Sequence, residues 1–252
     1  MTFKNEQYKN AAKELDNPDL DGWEFVVESH GIKIYRFLRQ PSGLYEYKVI
    51  GVANIKAETC AEVYMDIAYR KTWDSYVKEL TYISKANPTV IYWEVDYPWP
   101  MSNRDYVFLR EMDVCTDGDK KVWTILGRSA KANELSQRKV FHCLYFFLRC
   151  FITDKFYVNV TNLCFSSAKA NELSQRQQVD EKKGVIRVRD YEQSMVIREN
   201  QNGTSQIFMH YYDDPRGMIP TMVVNWAAKT GVPGFLTTLE EACKIYDKTR
   251  NK

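Results

Sequence analysis

With 252 residues the chain suits one large domain or two small ones, and 44% apolar with 14% aromatic residues is enough for a ring-rich core. The 35 Lys and Arg against 33 Asp and Glu leave a formal charge of +2, too little to argue for nucleic-acid binding and permitting only a weak approach to an anionic membrane. The opening MTFKNEQYKN lacks the apolar run of an export signal, and no uninterrupted 18-residue apolar stretch occurs, so a cytoplasmic chain without a spanning helix is expected.

Tyr8, Ala11, Ala12 and Leu15 recur at helical spacing and predict a short amphipathic helix from Phe3 to Leu15. EFVV and IKIYRF, flanking Ser29-His30-Gly31, predict a hairpin, and LYEYKVIGV a third strand. From Ala57 to Asp74 the period changes: Cys60, Val63, Tyr64, Ile67 and Ala68 make one face of a single helix. Alternation then returns in ELTYIS, TVIYWEVDY, DYVFLREM, KVWTILG, GVIRVRDY, SMVIRE and SQIFMHYY, seven further strands. Ile219, Met222, Val223, Trp226 and Ala227 resume a helical stripe. Gly231-Val-Pro-Gly234 breaks or kinks it, and Phe235, Leu236, Leu239, Cys243 and Tyr246 continue it. The order predicts an α+β fold: one curved antiparallel sheet wrapped on a terminal helix.

One stretch interrupts this pattern. SAKANELSQR stands at 129–138 and again, letter for letter, at 167–176, with 28 ring-rich residues between the copies. Structural repeats drift in sequence and need about three copies to stack. The region at about 129–176 therefore reads as an insertion or duplication within a single domain spanning 1–252. The competing reading, a membrane-inserting hairpin, is weakened by Arg149 and Asp154, which split its apolar run.

Signals for covalent chemistry are sparse. The three histidines, His30, His142 and His210, are far apart, and no nucleophile-elbow, zinc-protease, P-loop or dinucleotide fingerprint occurs. No cluster of metal ligands is present, so neither a catalytic residue nor a metal is expected. The six cysteines show no C-x-x-C spacing and are expected to be free thiols. Asp213-Asp214 before Pro215 reads as a pair of turn residues.

The aromatics carry more. Alternation through TVIYWEVDY puts Ile91, Trp93, Val95 and Tyr97 on one face and Tyr92, Glu94 and Asp96 on the other. Tyr106 lies on the next strand; Tyr191 lies on a later one, with Gln193 on its face. Three rings around one volume would hold a trimethylammonium group by about 2 kcal/mol once desolvated. The plainer alternative is three ordinary core aromatics. Arg70 shares a helical stripe with Val63, Ile67 and Asp74, placing it at the edge of an apolar face. There it either binds a phosphate bidentately or makes an exposed pair with Asp74.

With these residues in view, the chain resembles the START family of lipid-transfer domains. The matching stretches are YRKTWDSYVKEL, VIYWEVDYPWPMSNRDYVFLR, GVIRVRDYEQS and VNWAAKTGVP, and the likeness runs from about residue 3 to the C-terminus except for 129–183. The resemblance implies a helix-grip fold, a curved sheet closing over a long C-terminal helix with an internal lipid tunnel. It implies that Arg70 meets a lipid phosphate and that Trp93, Tyr106 and Tyr191 form a choline cage, with Val95 and Gln193 alongside. Tyr64, Asp74 and Trp226 match positions near the ligand or its lid. It implies, too, a non-enzymatic carrier of phosphatidylcholine that meets membrane surfaces transiently and needs no cofactor. The family also suggests a second role, a lipid-sensing adaptor for an acyl-thioesterase.

Overall fold

The computed structural model describes residues 2–29, 31–85, 88–131, 134–135, 179–217 and 230–250. The chain divides into two compact units, one of residues 1–129 with 184–252 and one of residues 130–183. The expected insertion at about 129–176, and the stripe from Ile219 to Ala227 with Trp226, fall largely or wholly outside the described residues.

The first unit opens with α1 (Asn5–Asp16), whose first turn is closed by the Gln7 side chain accepting from the Lys4 N–H at 2.8 Å. Three strands follow, β1 (Glu24–Ser29), β2 (Ile32–Arg39) and β3 (Leu44–Ala53). The single helix expected over 57–74 is two: α2 (Ala57–Met65) and α3 (Ile67–Trp73). Asp66 separates them. It leaves helical backbone angles, and its Oδ1 accepts from the N–H groups of Ala68 (3.0 Å) and Tyr69 (2.9 Å), so it caps a new helix rather than continuing the old one. The seven further strands are β4 (Val77–Ser84), β5 (Val90–Val95), β6 (Asn103–Asp117), β7 (Lys120–Ser129), β8 (Val185–Val188), β9 (Tyr191–Glu199) and β10 (Ser205–Asp213). The chain closes with α4 (Val232–Arg250).

All ten strands form one sheet in the order β1-β2-β3-β10-β9-β7-β6-β5-β4. Every pairing on that path is antiparallel; β8, off it, runs parallel to β6 with Tyr106 opposite Val188. The expected curved antiparallel sheet is present, and the parallel β8 is an addition at its side. Beyond Phe108 the long β6 pairs with β7, and β8 takes up its first residues, Asn103 to Tyr106.

Both sheet faces are buried. On one, Trp123, Ile125, Met195, Ile197 and Ile207 pack with Cys60, Val63 and Tyr64 of α2 and with Leu239, Ala242 and Cys243 of α4. On the other, Leu15 of α1 packs on Val122, Val196 and Phe208. Tyr92 and Glu94, assigned by alternation to the face away from the core, are buried too, and Glu94 accepts from Asn103 at 3.1 Å. Among the described residues no helix is long and apolar enough to cross a membrane, and Cys60, Cys115 and Cys243 are free thiols.

Candidate functional site

The helix-side face of β5, β6, β9 and β10 gathers several rings at one end, while Ile125, Met195, Ile197 and Ile207 dominate further along it. Trp93 and Tyr106 are direct cross-strand partners, which fixes them side by side with ring centroids 5.4 Å apart. Tyr191 meets Tyr106 edge-on at 5.6 Å and Phe108 at 5.4 Å. Val95 is half-buried in the same apolar cluster. Gly127 lies beneath the Tyr191 hydroxyl: a Cβ there would stand 3.3 Å from it, tighter than ordinary contact, so the missing side chain makes room for the phenol.

Arg70 faces inward at 5% exposure. Its Nε donates to Asp74 Oδ2 at 2.9 Å, so the pair is buried and not the exposed i,i+4 pair of the plainer reading. Position follows from local structure. The capped start of α3 places Arg70 one turn in, and Asp74 ends the helix, its other oxygen accepting from the Tyr76 N–H at 3.1 Å. The guanidinium is walled by Trp93 at 4.8 Å, Tyr64 and Phe235 each at 5.4 Å, and Trp73 at 5.8 Å.

These contacts close into a circuit. Arg70 lies on Trp93, Trp93 on Tyr106, and Tyr106 on Tyr191. The Tyr191 hydroxyl donates to Gln193 Oε1 at 2.6 Å, the Gln193 amide donates to the Tyr64 hydroxyl, and Tyr64 returns to Arg70. Residues drawn from α2, α3, β5, β6 and β9 thus surround one region. Trp93 Nε1 and Trp73 Nε1 are buried there without a hydrogen-bond partner among the described residues. A buried polar atom left unmet costs about 1–3 kcal/mol, so this region is under-satisfied for a simple core.

Two further charged groups, Asp213 and Arg110, belong to the site. Asp213, expected as a turn residue, is the last residue of β10; its Oδ2 accepts from Tyr106 (2.6 Å) and Tyr211 (3.0 Å). Only Asp214 serves the turn, accepting from the Arg216 N–H at 2.9 Å. Burial pushes the Asp213 carboxyl above the usual range, with the two phenols opposing it. Burial first, then the nearby Asp213, holds Tyr106 and Tyr211 well above an ordinary phenol and pushes Tyr97 up to about 12. Arg110 completes the set at 2% exposure, its Nη1 reaching the Tyr64 carbonyl at 3.3 Å. Alternation pointed to both omissions: Tyr106, Phe108 and Arg110 share a face, as do Met209, Tyr211 and Asp213.

Among the described residues no group of three or more His, Cys, Asp or Glu side chains is placed to hold a metal ion. A surface groove lined by Met65, Met112 and Tyr246 with Glu62, Asp66 and Arg250 is open to solvent and shares none of the circuit's residues.

Ring faces and buried charge gathered on a sheet face opposite a terminal helix are features of a small-molecule binding site. Residues 5–155 and 170–249 match the START domain model, and the chain belongs to that family. It is 40% identical over 250 residues to the phosphatidylcholine transfer protein of Bos taurus, covering 98% of this chain and 97% of the relative, and 40% identical over 251 residues to that of Homo sapiens, covering 98% and 96%. Human STARD10 shares the fold at a TM-score of 0.67 and 19% identity, over 100% of this chain and 84% of that one.

Proposed function

We propose that the chain is an intracellular carrier that takes one phosphatidylcholine from a membrane, encloses it, and releases it at another. The circuit of Arg70, Trp93, Tyr106, Tyr191, Gln193 and Tyr64 carries the reading. It offers ring faces to a quaternary ammonium and a guanidinium to the neighbouring phosphate, and the names of the 40%-identical relatives point the same way. Burying acyl tails contributes about 0.8 kcal/mol per methylene, offset by the equally apolar bilayer they leave. Selectivity therefore rests on the headgroup. Trp93, Tyr106 and Tyr191 form the choline cage, Asp213 sets a carboxylate behind it, and Asp74 orients Arg70. No bond is made or broken, and no cofactor is needed. The tails occupy a tunnel beneath α4, and contact with the membrane surface is transient.

Native mass spectrometry of the purified protein is expected to show one added phospholipid mass. Transfer between vesicles is expected to be faster for phosphatidylcholine than for phosphatidylethanolamine, with the lipid recovered intact. Absence of both a bound lipid and a headgroup preference would sink the carrier reading. The adaptor role with an acyl-thioesterase rests on family resemblance, and pull-down with lipid-loaded and lipid-free protein separates it from a pure carrier.

A further inference from the structure

Arg110 is the unexplained charge of this interior. It projects from β6 on the same face as Tyr106 and Phe108, and its guanidinium carbon lies 4.8 Å from the Tyr64 ring centroid and 4.9 Å from that of Phe108. Its protein contacts are neutral: the Tyr64 carbonyl at 3.3 Å and the Tyr191 phenol, whose pKa the cation pulls down against the rise that burial imposes. Its Nε is buried with no partner, and no carboxylate among the described residues lies within ion-pair distance of it. Buried charges are ordinarily paired, because a cation taken out of water without an anion is strongly disfavoured.

Arg70 does not share this need. Its charge is answered by Asp74 at 2.9 Å, so the pair presents no net charge to a ligand. Yet Arg70 and Arg110 lie against the same ring, that of Tyr64, at 5.4 and 4.8 Å. The three groups Arg70, Asp74 and Arg110 therefore leave one positive charge unmatched. One phosphodiester anion beside them brings the count to zero.

We infer that Arg110 is a specificity-determining residue that supplies the net charge binding the ligand's phosphodiester, with Arg70 as the neutralised, orienting partner. The inference deepens the carrier reading and rests on it. An uncharged lipid such as a diacylglycerol would leave Arg110 as exposed to desolvation as before. The interior thus discriminates for phosphate by charge, separately from the discrimination for choline by the rings.

The test is calorimetric titration of the full chain with dihexanoylphosphatidylcholine, dihexanoylglycerol and inorganic phosphate, beside thermal melts of the lipid-free protein. Arg110→Met is expected to weaken dihexanoylphosphatidylcholine at least tenfold and dihexanoylglycerol less than twofold. The lipid-free variant is expected to melt no lower than wild type, because it loses an unmatched buried charge. Arg110→Lys, which keeps the charge, is expected to recover part of the affinity. Unchanged phosphatidylcholine affinity, equal loss of both lipids, a lowered lipid-free melt or a lysine variant no better than methionine would each overturn the inference. So would tight binding of inorganic phosphate that the methionine variant abolishes, since the site would then serve a free ion. Wild-type protein that binds no phosphatidylcholine sinks the carrier reading and this inference together; the variant results bear on the inference alone.

Discussion

The two faces of the sheet treat buried charge in opposite ways. On the α1 side, Lys48 donates to Glu14 at 2.8 Å and to the Asp19 carbonyl at 2.6 Å, and Glu111 accepts from Thr2 N–H at 2.9 Å. On the side of α2, α3 and α4, Arg110 has no acid and two indole N–H groups have no acceptor among the described residues. The α1 side is not free of unmet atoms: Thr124 Oγ1 and Arg198 Nε lack partners, but Arg198 is held through its other nitrogens by Asp16 and Asp117. A face whose ions are answered by its own chain is complete when folded. A face that leaves a cation unanswered by the described residues has room for an outside partner.

The contrast can be broken most forcefully at Asp74. Asp74→Ala strands Arg70 in the interior and is expected to cost about 3–5 kcal/mol in urea unfolding; a loss under 1 kcal/mol would show that Arg70 is not held by that pair. Next, Trp93→Ala removes a ring wall and is expected to slow phosphatidylcholine transfer roughly tenfold or more, while circular dichroism shows a folded protein. Lys48→Met, on the completed face, is expected to cost about 1–2 kcal/mol of stability. Transfer should not change, and a transfer defect there would erase the distinction between the faces. The smallest effect belongs to the exposed pair Lys244–Glu240: Lys244→Ala is expected to leave the urea midpoint nearly unchanged.

Asp213 sharpens the comparison through pH. Its folded pKa is raised, so its contribution to stability is fully present below the unfolded value and is lost as pH rises through the folded value. Asp213→Asn keeps an oxygen for the two phenols and loses the titration. Its stability advantage over wild type is expected to shrink on acidification toward the unfolded carboxylate range. Choline-lipid affinity in the wild type should fall over the same range, and in Asp213→Asn it should stay flat. Parallel pH curves for the two proteins would remove Asp213 from the cage.

Alternation made all ten strands legible, because a residue's face in a strand is written in its own neighbours. Pairing is not. The parallel match of β8 with β6 depends on how distant segments meet, and nothing in GVIRVRDY specifies it. The break at Asp66 was hidden because Val63, Ile67 and Arg70 keep an unbroken stripe across it, while a capping aspartate looks like any polar helix residue. Spacing placed Trp93, Val95, Tyr106, Tyr191 and Gln193 correctly by face, but left both cage and core open. Asp213 was missed for a different reason: its turn-forming neighbours Asp214 and Pro215 outweighed the strand phase that turns it inward. Arg110 is not legible as a site residue because DYVFLREM reads only as a strand, and alternation does not tell a solvated charge from a buried one.

The wall that Phe235 gives to Arg70 has a mechanical meaning. Phe235 belongs to α4, and a few residues further along the same helix the Ala242 carbonyl accepts the Tyr69 hydroxyl at 2.9 Å, from the residue just before Arg70. Peeling α4 off the sheet must strip a ring from the arginine and break that bond in one movement. A ligand that steadied Arg70 would therefore hold α4 in place as well.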